Sequence, residues 1–232
     1  MSLGLVDHVM VSVVTGVPVE RLLDRWGAGA VSSPRSMGRR EWLVWAGEEI
    51  PPGRVRLGVQ PEVPAGAGWP GSVLVWETWS LEGVREPVAR AVTIGGGRML
   101  AVGGTPAGVR VLHAVDGEIL AVARTGRPAP RGADTRELVE AMNAHGASLD
   151  TFDTTAALGV AARMTGVDPD AQDPDSPVLG VELHSLPFEH TPGPSSAAAA
   201  GPLRPLASGR GPHPAVDAGP FPGGTAQARL PQ

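Results

Sequence analysis

The chain has 232 residues, a net charge of −5, and hydrophobic and charged contents of 42% and 19%, which fit a folded globular protein and exclude disorder throughout. It has no cysteine, no tyrosine and no lysine, so disulfides, thiolate ligands and nucleophiles, phenolic acids, Schiff bases and lysine-dependent phosphate loops are excluded, and all 19 basic residues are arginine. Residues 1–131 carry 14 Arg against 12 acids, whereas 132–232 carry 5 against 12; the acidic half argues against nucleic-acid binding.

The opening MSLGLVDHVMVSVVTGVP has no basic leader, and Asp7 and His8 interrupt its apolar run, so neither a secretory signal nor a membrane span is expected and the protein is expected in the cytoplasm. HVMVSVV (8–14) is a β-branched run of strand length that ends at Thr15-Gly16. Pro18 then opens a helix whose Val19, Leu22, Leu23 and Trp26 form one apolar stripe, with Gly27 as a left-handed stop. Strands are expected at 41–46 (EWLVWA), 54–60 (RVRLGVQ) and 72–79 (SVLVWETW), between proline and glycine clusters. A helix follows over 84–92, with Pro87 tolerated in its first turn and glycines 95–97 ending it.

RVLHAVDGEILAVA reads as a hairpin around a two-residue Asp116-Gly117 turn, with Val115 opposite Glu118, His113 opposite Leu120 and Val111 opposite Val122. The second face of this hairpin, Leu112, Ala114, Ile119 and Ala121, is also apolar and has to be covered. Asp134 and Glu137 form a capping-box variant for a helix carrying Leu138, Val139 and Met142; an alanine-rich helix spans 154–165 with Gly166 as its stop; and PVLGVEL (177–183) is a final short strand. Thirteen of the 24 prolines fall in the last 64 residues, and residues 187–232 are expected to be a disordered tail rich in proline, alanine and glycine. The expected architecture is α+β: one domain over residues 1–186, with a mainly antiparallel sheet and helices packed on at least one face.

Candidate site residues are few. Trp76 and Trp79 flank Glu77, but an odd separation on a strand sends the two rings to opposite faces, so core roles are expected and Glu77 is the group left for chemistry. The glycines at 95–97 follow a helix rather than a strand and read as a turn, not a phosphate loop. His113 is expected to be a hydrogen-bonded core histidine, and no histidine spacing indicates a metal; no cofactor is expected. DPDAQDPDSP (168–177) reads as a solvated connector. Arg35, Arg39 and Arg40 in one loop, and Arg124, Arg127 and Arg131 in another, could each hold a carboxylate or phosphate bidentately.

The order of VSVVTGVPVERLLDRWGA, WETWSLEGV, HAVDGEILA and AALGVAARMTGVDP resembles an actinobacterial family of domains of unknown function over roughly residues 6–186. The resemblance implies a single cytoplasmic α+β domain and assigns no catalytic residue; the family's opening strand carries cysteine and threonine where this chain has Met10 and Ser12. Missing catalytic chemistry favours a non-enzymatic interaction module, immunity-like or regulatory, with an unidentified protein partner. The alternative is a small-molecule-binding or hydrolytic domain using Glu77, Asp116 or Glu118 with a loop arginine such as Arg124 or Arg127.

Overall fold

A computed structural model describes residues 9–27, 29–78 and 80–186; the expected tail at 187–232, and Trp79, lie outside the described residues. The class is α+β. Eight strands form one antiparallel sheet: β1 (Val9–Thr15), β2 (Arg35–Gly38), β3 (Arg54–Val63), β4 (Ser72–Thr78), β5 (Arg98–Thr105), β6 (Gly108–Val115), β7 (Glu118–Arg124) and β8 (Pro177–His184), in the order β2-β8-β3-β4-β1-β5-β6-β7. The helices are α1 (Val19–Trp26), α2 (Arg39–Ala46), α3 (Glu86–Thr93), α4 (Arg136–His145) and α5 (Thr154–Thr165), with a 3₁₀ turn at Glu82–Val84 just before α3.

Helices cover both faces of the sheet. Leu22 and Trp26 of α1 and Val88, Ala89 and Val92 of α3 pack on Met10, Leu57, Val75, Met99, Leu112 and Ala114. On the other face Trp42 of α2, Leu138 and Met142 of α4, and Val160 of α5 pack on Val11, Leu74, Trp76, Leu100 and Val111. Strands buried on both sides need no polar alternation, which is why β4 is buried at all seven positions and reads as an uninterrupted run. This arrangement also covers Leu112, Ala114 and Ile119 of the hairpin's second apolar face, while Ala121, expected with them, packs in the opposite core.

Several local expectations are corrected. EWLVWA is not a strand; it belongs to helix α2, whose buried residues Arg39, Trp42 and Ala46 fall three and four apart, while Val44 is 72% exposed. The short edge strand β2 just before it was not anticipated. Gly27 does not take a left-handed stop; its backbone is extended (φ −138°, ψ −176°), and glycine is needed because a Cβ there would lie 2.4 Å from the His184 carbonyl oxygen. The Asp134–Glu137 capping box does not form: α4 starts at Arg136, Asp134 Oδ1 accepts from the Arg136 amide at 3.1 Å, and Glu137 turns to Arg98. Gly166, by contrast, ends α5 with φ +72°, and Asp153 caps that helix by accepting from the Ala156 amide at 2.8 Å.

The hairpin turn has positive φ at both Asp116 (+46°) and Gly117 (+79°), as a type I′ turn requires. Val115 pairs with Glu118 as expected, but the register then slips: Ala114 faces Ile119, His113 faces Ala121, Val111 faces Ala123 and Arg110 faces Arg124. Leu120 is the extra residue of a β-bulge. Segment 131–134 holds it in place along the outer edge of β7. The Ala133 amide donates to Ile119 O (3.2 Å), the Asp134 amide to Leu120 O (3.0 Å), and Val122 and Arg131 exchange both backbone bonds.

The contact between β3 and α2 yields a stability prediction. At Gly58 an added Cβ would meet the Trp42 indole at 2.6 Å, whereas at Gly38 it meets nothing within 4 Å. Gly58→Ala should lower the free energy of unfolding by about 1–3 kcal/mol in urea titrations, with Gly38→Ala close to wild type. Equal effects of the two would contradict this packing of α2.

Candidate anion-binding cleft

Trp76 and the carboxylates singled out from the sequence do not converge. Trp76 is 2% exposed, faces the α2 side and carries the Arg39 guanidinium 5.0 Å from its ring centroid. Glu77, one residue on, faces the other side and is fully buried. Its Oε1 accepts from Trp26 Nε1 (2.9 Å) and the Gly83 amide (3.1 Å), and its Oε2 from the Glu82 amide (3.1 Å). The carboxylate thus satisfies the start of the 3₁₀ turn and one indole, and is sealed from solvent. Asp116 Oδ1 accepts from the Gly95 and Gly96 amides (2.8 and 2.9 Å), both glycines having positive φ. The glycine run is a turn whose anion-binding concavity is filled by the hairpin's own carboxylate. Glu118 is exposed beside it.

His113 is buried as expected, but neither ring nitrogen has a hydrogen-bond partner; Glu137 Oε2 stands 3.8 Å from Nδ1. Burial lowers its pKa, with the nearby Glu137 pulling the other way. In the first arginine group, Arg35 stacks on Trp45, Arg39 is buried against Trp76, and Arg40 reaches Asp175 of the acidic connector at 3.5 Å. Among the described residues no three His, Asp or Glu side chains are grouped to hold a metal ion.

The second arginine group does converge, and it gains a member. Arg110 of β6 lies directly opposite Arg124 of β7. The strand end bearing Arg124 is fixed by Thr125, whose Oγ1 accepts from the Val109 amide (3.0 Å) and donates to Phe152 O (2.6 Å). Arg127 follows in the turn, and Arg131 is held by its two backbone bonds to Val122. One carboxylate serves this group. Glu86, in the first turn of α3, accepts through Oε1 from Arg110 Nη2 (3.1 Å) and from Arg131 Nη2. Arg124 and Arg127 have no carboxylate partner among the described residues. Burial lowers the Arg110 pKa; Glu86 opposes the shift, and Arg131 and Arg124 add to it.

These guanidinia line two open hollows that share Arg110 and Arg124. One, about 340 Å³, runs from Leu81 and Glu82 to Thr105 and Val109. The other, about 370 Å³, lies over Val122, Arg127, Pro128 and Arg131. Like charges opposite each other on neighbouring strands are destabilising, and with Glu86 bonded to Arg110 and Arg131 alone, Arg124 and Arg127 leave an excess of positive charge on a fixed backbone. That is the arrangement for receiving an anionic group through charge-assisted, bidentate hydrogen bonds. Arg124 and Arg127 were legible as candidates; Arg110 was not, because the uninterrupted register would have set Ala123 opposite it.

Compared with protein-family models, curated proteins and solved structures, the chain has no significant match in any of the three.

The sealed carboxylate generates a pH prediction. Burial pushes Glu77 from 4.5 up to about 7, with the Glu82 charge adding to the rise and hydrogen bonds from Ser80, Trp26 and Gly83 opposing it. The folded protein therefore keeps a proton that the unfolded chain releases. Its contribution to stability is complete below about pH 4.5 and is lost as pH rises through about 7. In Glu77→Gln that contribution cannot titrate, so the stability difference between wild type and variant should move by about 3 kcal/mol against wild type between about pH 5 and pH 8 in urea titrations. An unchanged difference would show that Glu77 stays ionised in the fold.

Proposed function

We propose that the protein is a non-enzymatic interaction module whose arginine cleft receives an acidic segment of a partner protein. The observation that carries this is the grouping of Arg110, Arg124, Arg127 and Arg131 along one hollow, with Glu86 paired to Arg110 and Arg131 only. The rival reading, a hydrolase built on Glu77, Asp116 or Glu118, is disfavoured by geometry: one acid is sealed, one is bound to a glycine turn and one is exposed on the hairpin tip. A protein segment suits the site better than a single small anion because the two hollows adjoin in an open trough rather than an enclosed cavity. Among the described residues no helix is long and apolar enough to cross a membrane; residence in the cytoplasm is part of the proposal. An immunity-like or regulatory role, and membership of the actinobacterial family that the four motifs resemble, are part of the same proposal.

Hexaglutamate labelled with fluorescein, titrated at low salt, should bind the wild type, with an anisotropy change that weakens as salt is added. Arg124→Gln with Arg127→Gln should reduce the affinity by about tenfold or more, the loss expected for one to two charge-assisted contacts. The same change should raise stability by several tenths of a kcal/mol in urea, because it removes the charge opposite Arg110. Undiminished peptide binding by the double variant would overturn the proposal.

A further inference from the structure

The basic trough does not end at Arg127. A third hollow, about 590 Å³, shares Arg127 and Pro128 with the second and continues over Val139 and Met142 of α4 and over Leu149. Val139 and Leu149 are half-buried and Met142 is buried, so this end offers apolar side chains to anything seated there. The rim is fixed: the Gly126 amide donates to Leu149 O at 3.0 Å and the Ala147 amide to Met142 O at 2.9 Å. Asp150 lines this hollow together with Arg127.

We infer that the trough is a two-part reader for a peptide in which a cluster of acidic residues lies next to one large aliphatic or aromatic side chain. The acids pair with Arg124 and Arg127, and the apolar group enters the hollow between α4 and the 147–150 turn. This rests on the proposed function and adds the second half of the recognition. Charge complementarity assigns the acidic cluster to Arg124 and Arg127. A protein segment is favoured over an anionic membrane because the apolar end is concave. The large hydrophobic side chains that stand out from the described surface, Val44, Ile94 and Leu81, are not among those lining this end, so nothing there projects to insert into a bilayer.

The test uses the full chain and fluorescein-labelled peptides: hexaglutamate alone, hexaglutamate extended at either end by Gly-Leu-Gly, and the same extensions with serine in place of leucine. One leucine extension should bind about tenfold tighter than its serine counterpart, the ratio expected for burying most of one such side chain. That advantage should disappear in Val139→Ser and Leu149→Ser, while both variants keep the wild-type affinity for hexaglutamate and the wild-type far-UV circular dichroism. No leucine advantage on wild type, or an advantage that survives both serine variants, would overturn the two-part reading and leave the basic cleft standing. Failure of hexaglutamate itself to respond to Arg124→Gln with Arg127→Gln would instead remove the proposed function, and this inference with it. Capture by vesicles of anionic phospholipid that is abolished by the serine variants, without any leucine advantage in peptides, would overturn it in favour of a membrane surface.

Discussion

One unpaired residue, Leu120, decides which groups line the cleft. Side chains alternate along a strand, so a single extra residue exchanges the two faces of everything beyond it. Before the bulge Ile119 packs on the α1–α3 side; after it Ala121 and Ala123 pack on the α4–α5 side and Val122 on the α1–α3 side. Arg124 thereby joins the face of Arg110 and Glu86 instead of facing Val109 and the opposite core. The bulge is held by the carbonyls of Ile119 and Leu120, which accept from the Ala133 and Asp134 amides. Gly132 is required for that approach: a Cβ there would lie 2.1 Å from Leu120 O, and its φ is +144°. The segment that fixes the bulge also delivers Arg131, so register, edge protection and charge placement have one physical origin.

The rest of the molecule supplies rigidity to that corner. A sheet buried on both faces places its strands under two independent cores, and a residue such as Gly58 or Gly83 is admitted because an indole from a covering helix occupies the space of its missing side chain. Glu77 belongs to this framework. An ionised carboxylate without partners would be very costly at its depth; three N–H donors, and a pKa that burial raises to about 7, reduce that cost. Its place between Trp76 and Trp79 made it the group left for chemistry in the sequence, yet the donors around it come from the 3₁₀ turn and α1.

What the sequence disclosed follows from how local each cause is. β1, β3, β4, the type I′ turn and α5 are written in short runs, a dipeptide and a glycine stop, and these features appear at or within a few residues of their expected positions. α2 was hidden because Trp and Val favour strands by propensity, and because one of its three buried positions is an arginine that patterning counts as polar. Arg39 is buried only because the Trp76 ring lies beneath it and the Pro169 carbonyl accepts from it, contacts made across the fold. The cleft divides the same way. Arg124, Arg127 and Arg131 lie within eight residues and could be grouped by eye, whereas Arg110 and Glu86 enter through a bulge and a helix terminus set by tertiary hydrogen bonds.

The overall charge of −5 narrows what such a cleft can attract. Screening confines each charge to roughly 8–10 Å at physiological ionic strength, so a ligand held against Arg124 and Arg127 feels the local excess of guanidinium and little of the aspartates at 168–175. A long polyanion is treated differently. Under the proposal, a nucleic-acid strand extending past the trough would meet a protein whose net charge is −5. The occupant proposed above, a short run of aspartate or glutamate in a polypeptide, carries anionic groups that are few and close together. Glu86 fits that occupant: by occupying one side of Arg110 and of Arg131 it leaves Arg124 and Arg127 as the guanidinia with open donors, enough for a pair of carboxylates.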